Sequence, residues 1–376
     1  MEPIHIGVIG TGTFTCGSHL PVINSLPTLQ VRALCDPDGG NLRRAAALVP
    51  HPVATVSDFR DLLDRPDLDA VLVATPTHLH AEIAIAALEA GKHVLCEKPL
   101  APRPEGLRPL LEAWRASGRV LQVGYVYRYA PVFQRLRACI EGGEIGEPRM
   151  IWAHEFRAAF YTPWRYDARI SGGTLVEKCC HHFDLFQWML GAPATTVAGV
   201  GGQAVVRPGA EVETIIGTRL RVPETDLLDH AWILTEHTNG ARGSLGLSLF
   251  SPHGPYGRSD ADLESLDVGV VGEQGKLLAY VRRHELHFWP RGGEGARVER
   301  VEPPAAQPQG WHAGGREQWE QFARCIRTGE PTPADGVLGV QGLLPAFAGE
   351  VAIREGRMVP LAEIASAAGL RWPDIL

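Results

Sequence analysis

At 376 residues the chain is long enough for two domains, each with its own core. Its apolar content of 45% describes a globular protein, and a formal net charge of -7 argues against nucleic acid or an acidic membrane surface as a partner. Seven cysteines without regular spacing fit free thiols in a reducing cytoplasm, and no uncharged apolar stretch reaches membrane-spanning length.

The chain enters its first strand, Ile4 to Ile9, almost at once, which leaves no room for a signal peptide. That strand runs into Gly10-Thr11-Gly12-Thr13-Phe14-Thr15. Two glycines let the chain turn tightly and bring backbone amides to a pyrophosphate at the N-terminus of the next helix. Thr15 stands where a third glycine is usual. A second strand, Val31 to Cys35, ends in Asp36, placed to hold a ribose 2′-hydroxyl. Asp36 would repel a 2′-phosphate and so favours NAD; Arg32, Arg43 and Arg44 keep NADP open.

Two more β-α units follow. Asp69 to Ala74 is a strand that breaks at Thr75-Pro76-Thr77-His78, and a helix from His80 to Ala90 is closed by Gly91. Lys92 to Cys96 is the next strand, followed by Glu97-Lys98-Pro99. Alternating elements of this length predict a parallel, doubly wound sheet with right-handed crossovers. Ligands bind at the carboxyl ends of strands in such sheets. Gly10, Gly12, Thr13, Phe14, Asp36, Thr75, Pro76, His78, Glu97 and Lys98 are therefore the cofactor-binding candidates. Proline confines Lys98 to extended geometry, and a cis Lys98-Pro99 bond costs little.

The sheet's last strand, Val120 to Gly124, closes a dinucleotide domain over residues 1–124. Residues 125–376 form the second domain. A helix from Pro131 to Glu141 leads into strands at Arg149 to Phe156, Thr195 to Val206, Thr214 to Arg221, Ala231 to His237 and Ala241 to Phe250. Further strands are Leu266 to Val271, Lys276 to Val281 and Glu285 to Trp289. This run predicts a large, mainly antiparallel sheet with one face covered by helices and the other open or used in association. Pro303 to Gln309 reads as a linker, and helices at Gly315 to Thr328 and Gly336 to Glu355 finish the chain.

A second chemical cluster spans Gly172-Gly173-Thr174-Leu175-Val176-Glu177-Lys178-Cys179-Cys180-His181-His182-Phe183-Asp184. On one helix Glu177 and His181 share a face, and His181 neighbours Asp184. Carboxylates beside a histidine fix its tautomer and raise its basicity. Adjacent cysteines followed by adjacent histidines do not match metal-ligand spacings, so no metal is expected.

Taken in order, the Gly-x-Gly turn, Ala74-Thr75-Pro76-Thr77-His78-Leu79-His80, Gly91 through Glu97-Lys98-Pro99, and Gly172-Gly173 through Asp184 resemble the Gfo/Idh/MocA family of nicotinamide-dependent oxidoreductases. The resemblance covers nearly the whole chain. It implies a Rossmann domain followed by an α/β domain whose open sheet builds homodimers or homotetramers, and an NAD(P)-dependent dehydrogenase acting on a secondary alcohol of a sugar, inositol or related polyol. In family terms Lys98 is the catalytic lysine and His181 the catalytic histidine. Glu177, the third catalytic candidate, stands where Asp is usual and is expected to orient His181 or bind a substrate hydroxyl; Lys178 after it is a further departure. Tyr127, Arg128, Trp164, Arg165, Tyr166 and His182 are candidates for holding substrate hydroxyls. Two other readings share these residues: a glycosidase or lyase that oxidises its sugar only transiently, and a non-catalytic sugar or dinucleotide-binding regulator.

Overall fold

Ile4–Ile9 (β1), Leu29–Cys35 (β2), Ala54–Val56 (β3), Ala70–Val73 (β4), His93–Cys96 (β5) and Leu121–Val123 (β6) pair in the order β3-β2-β1-β4-β5-β6, every pair parallel. All four residues of β4 are buried, as expected of a strand covered on both faces. The order reverses between β1 and β4, the switch point at which a doubly wound sheet opens a ligand crevice. This is a computed structural model, and it describes residues 2–251, 267–281, 283–293, 295–302 and 314–375. The Pro303 to Gln309 linker lies outside the described residues.

The chain divides into two compact units: Met1–Ala130 with Pro304–Val340, and Pro131–Pro303 with Gln341–Leu376. The first is discontinuous, whereas the sequence division gave everything after Gly124 to the second domain. The physical reason is the helix Gly315–Thr328, whose Trp319, Phe322 and Ala323 enter the core formed by Ile6, Val8, Leu72 and Leu95. A helix buries its apolar stripe where one is available, regardless of sequence distance.

The second unit holds Pro148–Phe156 (β7), Ala194–Gly202 (β8), Glu211–Glu213 (β9), Arg219–Arg221 (β10), His230–His237 (β11), Arg242–Ser248 (β12), Asp267–Gly272 (β13), Gly275–Tyr280 (β14), Glu285–Pro290 (β15), Arg297–Arg300 (β16) and Val359–Pro360 (β17). Nine of these form one sheet, β16-β15-β14-β13-β7-β12-β11-β8-β17. Only β7 and β12 run parallel; the other neighbours are antiparallel. Ile151, Ala153, Ile233, Leu245, Val268, Val270 and Leu277 are buried on one face, while Met150, Val200, Trp232 and Leu234 are exposed on the other. That alternation is the signature of a sheet whose helices cover a single side.

Several strand assignments change, and Ala54–Val56, Glu211–Glu213 and Val359–Pro360 are strands that were not expected. Thr195 to Val206 stops at Gly202, because the amides of Ala204, Val205 and Val206 turn to donate to the Asp229 carboxylate. Thr214 to Arg221 is not one strand: it forms the return of a small β9–β10 pair across Gly217, which has φ 76°. Arg297–Arg300 carries no apolar alternation and was not expected as a strand. The helix Gly336–Glu355 is apolar and long enough by composition to span a bilayer, but 67% of its most apolar window is buried inside the fold. It also carries Glu350.

Glu350 caps the start of the cluster helix by accepting from the Leu175 N–H at 3.1 Å. Burial pushes its carboxyl up to about 7. A carboxyl raised in the folded state favours folding below its unfolded value near 4.5, and that contribution is lost as pH rises through about 7. Glu350→Gln keeps an acceptor and removes the charge. Thermal unfolding should therefore show little change at pH 4.5 and a stabilisation of up to ~3 kcal/mol at pH 8. Equal effects at both pH values would contradict this.

Candidate active site

In the first unit the nucleotide turn is built around Gly10, which has φ 91°. A Cβ there would lie 2.5 Å from the Ala74 carbonyl, so only glycine fits between β1 and the end of β4. Thr15, at the third-glycine position, closes the turn by donating its hydroxyl to the Gly10 carbonyl at 2.7 Å. Gly12, exposed Thr13 and half-buried Phe14 continue into the helix. Asp36 is buried at the end of β2, and its carboxylate accepts the Thr11 N–H at 2.8 Å and the Asp38 N–H at 2.9 Å. The Thr11 hydroxyl at 3.2 Å and the Asn41 amide at 3.3 Å make longer contacts. The two short bonds orient the carboxylate, and the two long ones can yield to ribose hydroxyls.

At the ends of β4 and β5 the chain is tied by His80. Its ring nitrogens face two carbonyl oxygens, Pro99 at 2.7 Å and Thr75 at 2.8 Å. Thr75 and Pro76 thus follow the carboxyl end of β4 as Lys98 follows that of β5, while His78 is exposed. The Lys98–Pro99 bond is cis. Glu97 is buried; its carboxylate accepts the Lys98 N–H at 3.2 Å and meets His19 Nε2 at 3.1 Å. Tyr127 and Arg128 fall in the short Val126–Tyr129 turn of this unit, where Arg128 donates to the Pro333 carbonyl at 2.9 Å.

In the second unit Gly173, at φ 100°, opens the cluster helix because a Cβ there would meet the Glu350 carboxylate at 2.6 Å. Leu175–Cys179 form a π-helical turn before Cys180–Leu190, a deformation common at functional sites. Glu177, His181, His182 and Asp184 are all buried. Glu177 accepts from Arg165 Nε at 2.9 Å, and the Arg165 guanidinium lies 5.0 Å from the Trp164 ring centroid. The Glu177 pair holds Arg165 above its ordinary value although burial opposes it. The sequence expectation for Glu177 is to orient His181 or bind a hydroxyl; the structure adds Arg165 as a partner of its carboxylate. Tyr166 is buried and donates its hydroxyl to the Phe160 carbonyl at 2.8 Å.

Glu155 is the residue that sequence reasoning missed. Its carboxylate meets Lys178 Nζ at 3.1 Å, His182 Nε2 at 3.2 Å and Arg157 Nη1 at 3.5 Å, all four side chains buried. Burial alone would raise the Glu155 carboxyl, but Lys178, His182 and Arg157 outweigh it and hold it well below the usual range. Burial depresses His182 despite Glu155, and drives the Cys179 thiol well upward, so both stay neutral near pH 7. A signal was available: Glu155 sits on the inward phase of β7 with Ile151 and Ala153, where a charge needs a partner. Among the described residues no three His, Cys, Asp or Glu side chains gather to hold a metal.

Residues 4–125 match the oxidoreductase family with an NAD-binding Rossmann fold, and residues 133–278 match the GFO/IDH/MocA C-terminal domain. The chain belongs to the Gfo/Idh/MocA oxidoreductase family. Levoglucosan dehydrogenase from Pseudarthrobacter phenanthrenivorans is 30% identical over 305 residues, which are 76% of each chain. The scyllo-inositol 2-dehydrogenase (NAD(+)) of Bacillus subtilis is 25% identical, covering 95% of this chain and 96% of that one. A levoglucosan dehydrogenase solved with NADH superposes with a TM-score of 0.81 at 25% identity, over 96% of this chain and 99% of that one. NAD is the cofactor of this Gfo/Idh/MocA chain, and the Gly10 turn and the oriented Asp36 carboxylate are groups that fit it.

Proposed function

We propose that this protein is an NAD-dependent dehydrogenase that moves a hydride between nicotinamide and a secondary alcohol of a sugar, inositol or related polyol. The observation that carries the reading is Lys98, set on a buried Glu97 at the carboxyl end of β5 within an NAD-binding unit. The relatives named for inositol and levoglucosan oxidation support the substrate class. NAD supplies the two-electron acceptor when bound.

Loss of the hydroxyl proton builds negative charge on the alcohol's oxygen, and that charge is spent as the ketone forms and hydride leaves the carbinol carbon. Lys98 meets that charge with an ammonium and favours loss of the hydroxyl proton. His181 takes the proton and returns it in the reverse direction. Arg165, held by Glu177 and stacked on Trp164, presents donors for neighbouring hydroxyls, with His182 fixed behind by Glu155. The open face of the nine-stranded sheet, with Trp232, Leu234, Val200 and Met150 exposed, is assigned to a homo-oligomer interface. The seven free thiols suit a cytoplasmic location.

A panel of inositols, hexoses, anhydrosugars and polyols offered with NAD or NADP, followed at 340 nm, tests the reading. One or more should be oxidised, with NAD preferred. Asp36→Asn keeps the turn's shape and removes the charge. It should weaken NAD binding about tenfold, as expected for a charge-assisted hydrogen bond, and relax exclusion of NADP. Tighter NADP than NAD binding by the unaltered protein, with Arg43 or Arg44 responsible, would overturn the Asp36 assignment.

A further inference from the structure

Behind Lys98 lies a chain of buried hydrogen bonds that no motif announces. The Trp319 indole N–H points at His19 Nδ1, 3.1 Å away. An indole nitrogen only donates, so Nδ1 must accept and the ring proton sits on Nε2. That Nε2–H lies 3.1 Å from Glu97 Oε1 and donates to it, since a carboxylate oxygen can only accept. Glu97 Oε2 in turn accepts the Lys98 N–H at 3.2 Å. His19 is 5% exposed, Glu97 7% and Trp319 fully buried, so water does not compete for these bonds.

The backbone is shaped around the same chain. His19 ends a π-helical turn, Thr15–His19, in which Leu20 N–H reaches back to the Thr15 carbonyl. Gly124 leaves room for the carboxylate, since a Cβ there would lie 2.7 Å from Glu97 Oε1. Phe14 stacks edge-on against His19 at 5.1 Å, and Phe322 does so against Trp319 at 5.7 Å.

We propose that Trp319 and His19 are positioning residues for Lys98, acting through Glu97. Trp319 fixes the His19 tautomer, His19 fixes one carboxylate oxygen, and the other oxygen fixes the backbone from which the Lys98 side chain springs. This rests on the reading of Lys98 as the group that meets the reacting oxygen.

Trp319→Phe tests it, because phenylalanine keeps the ring in the core and removes only the N–H. The expected result is a kcat about tenfold lower with the dissociation constant for NAD unchanged. In the Lys98→Ala background the same substitution should have no further effect. His19→Gln, which can donate to Glu97 and accept from Trp319, should retain more activity than His19→Ala. Nitrogen-15 NMR of the unaltered protein, with the His19 signal identified by its loss in His19→Gln, should show the Nε2–H tautomer, and that tautomer should lose its dominance in Trp319→Phe. A dominant Nδ1–H tautomer in the unaltered protein would overturn the proposal. So would normal kcat in Trp319→Phe and His19→Ala, or an equal further loss on the Lys98→Ala background. Normal kcat in Lys98→Ala would instead remove the parent reading, and this proposal with it.

Discussion

Lys98→Ala is expected to lower kcat by roughly a hundredfold or more while leaving NAD affinity nearly unchanged. The asymmetry follows from what the ammonium does. In the proposed mechanism it meets charge that builds on the oxygen as the proton is lost on the way to the transition state, so its loss is felt there and little in the ground state. The groups proposed to cradle the dinucleotide are held by bonds of their own, Thr11 to Asp36 and Thr15 to Gly10. Lys98→Arg keeps a cation but spreads it over a planar fork, and should recover only part of the loss. His181→Ala should also slow turnover and should flatten the limb of the pH profile that reports the base. Near-normal kcat in either variant removes that residue from the mechanism.

Glu155→Ala is expected to cost about 3–5 kcal/mol of stability, the usual penalty for stranding buried charge. Lys178 and Arg157 would be left without the carboxylate that now compensates them, in surroundings where neither reaches water freely. Denaturant unfolding of the whole chain measures this, read from the second unit by its tryptophan fluorescence. A companion variant separates charge from packing: Glu155→Leu with Lys178→Met removes both partners and should recover much of the loss. The pH dependence has a definite sign. Glu155 is held below its unfolded value, so its contribution is present above about pH 4.5 and is lost as pH falls below that. A cost under about 1 kcal/mol for Glu155→Ala would place the cluster among ordinary surface pairs.

Most of the scaffold was legible in the sequence because it is written locally. Parallel strands buried on both faces read as apolar runs, and β1 and the helices Gly315–Thr328 and Gly336–Glu355 have the bounds expected from pattern alone. The placement of the glycine turn, Asp36 and Lys98 at strand ends was legible for the same reason, since each end is marked by glycine, charge or proline. What was not legible is pairing across distance. His19 meets Trp319 across 300 positions, and nothing in either segment names the other. Glu155 looked like one more residue of an alternating strand until Lys178 and His182 were placed against it. The Arg165 that donates to the Glu177 carboxylate comes from the turn before the helix, and the spacing within the helix could not name it. The short strand Arg297–Arg300 failed for a different reason: an edge strand of charged residues carries no apolar period to detect.

Product stoichiometry tests the central claim most directly. With the alcohol identified by the panel and NAD in excess, a single turnover is followed at 340 nm while the carbohydrate products are resolved by chromatography. The account predicts one NADH formed per molecule of alcohol converted to ketone, with no bond to a leaving group broken. Carbohydrate cleaved or eliminated with no net NADH would contradict it, and would mean that the same lysine and histidine serve an oxidation that is reversed before product leaves.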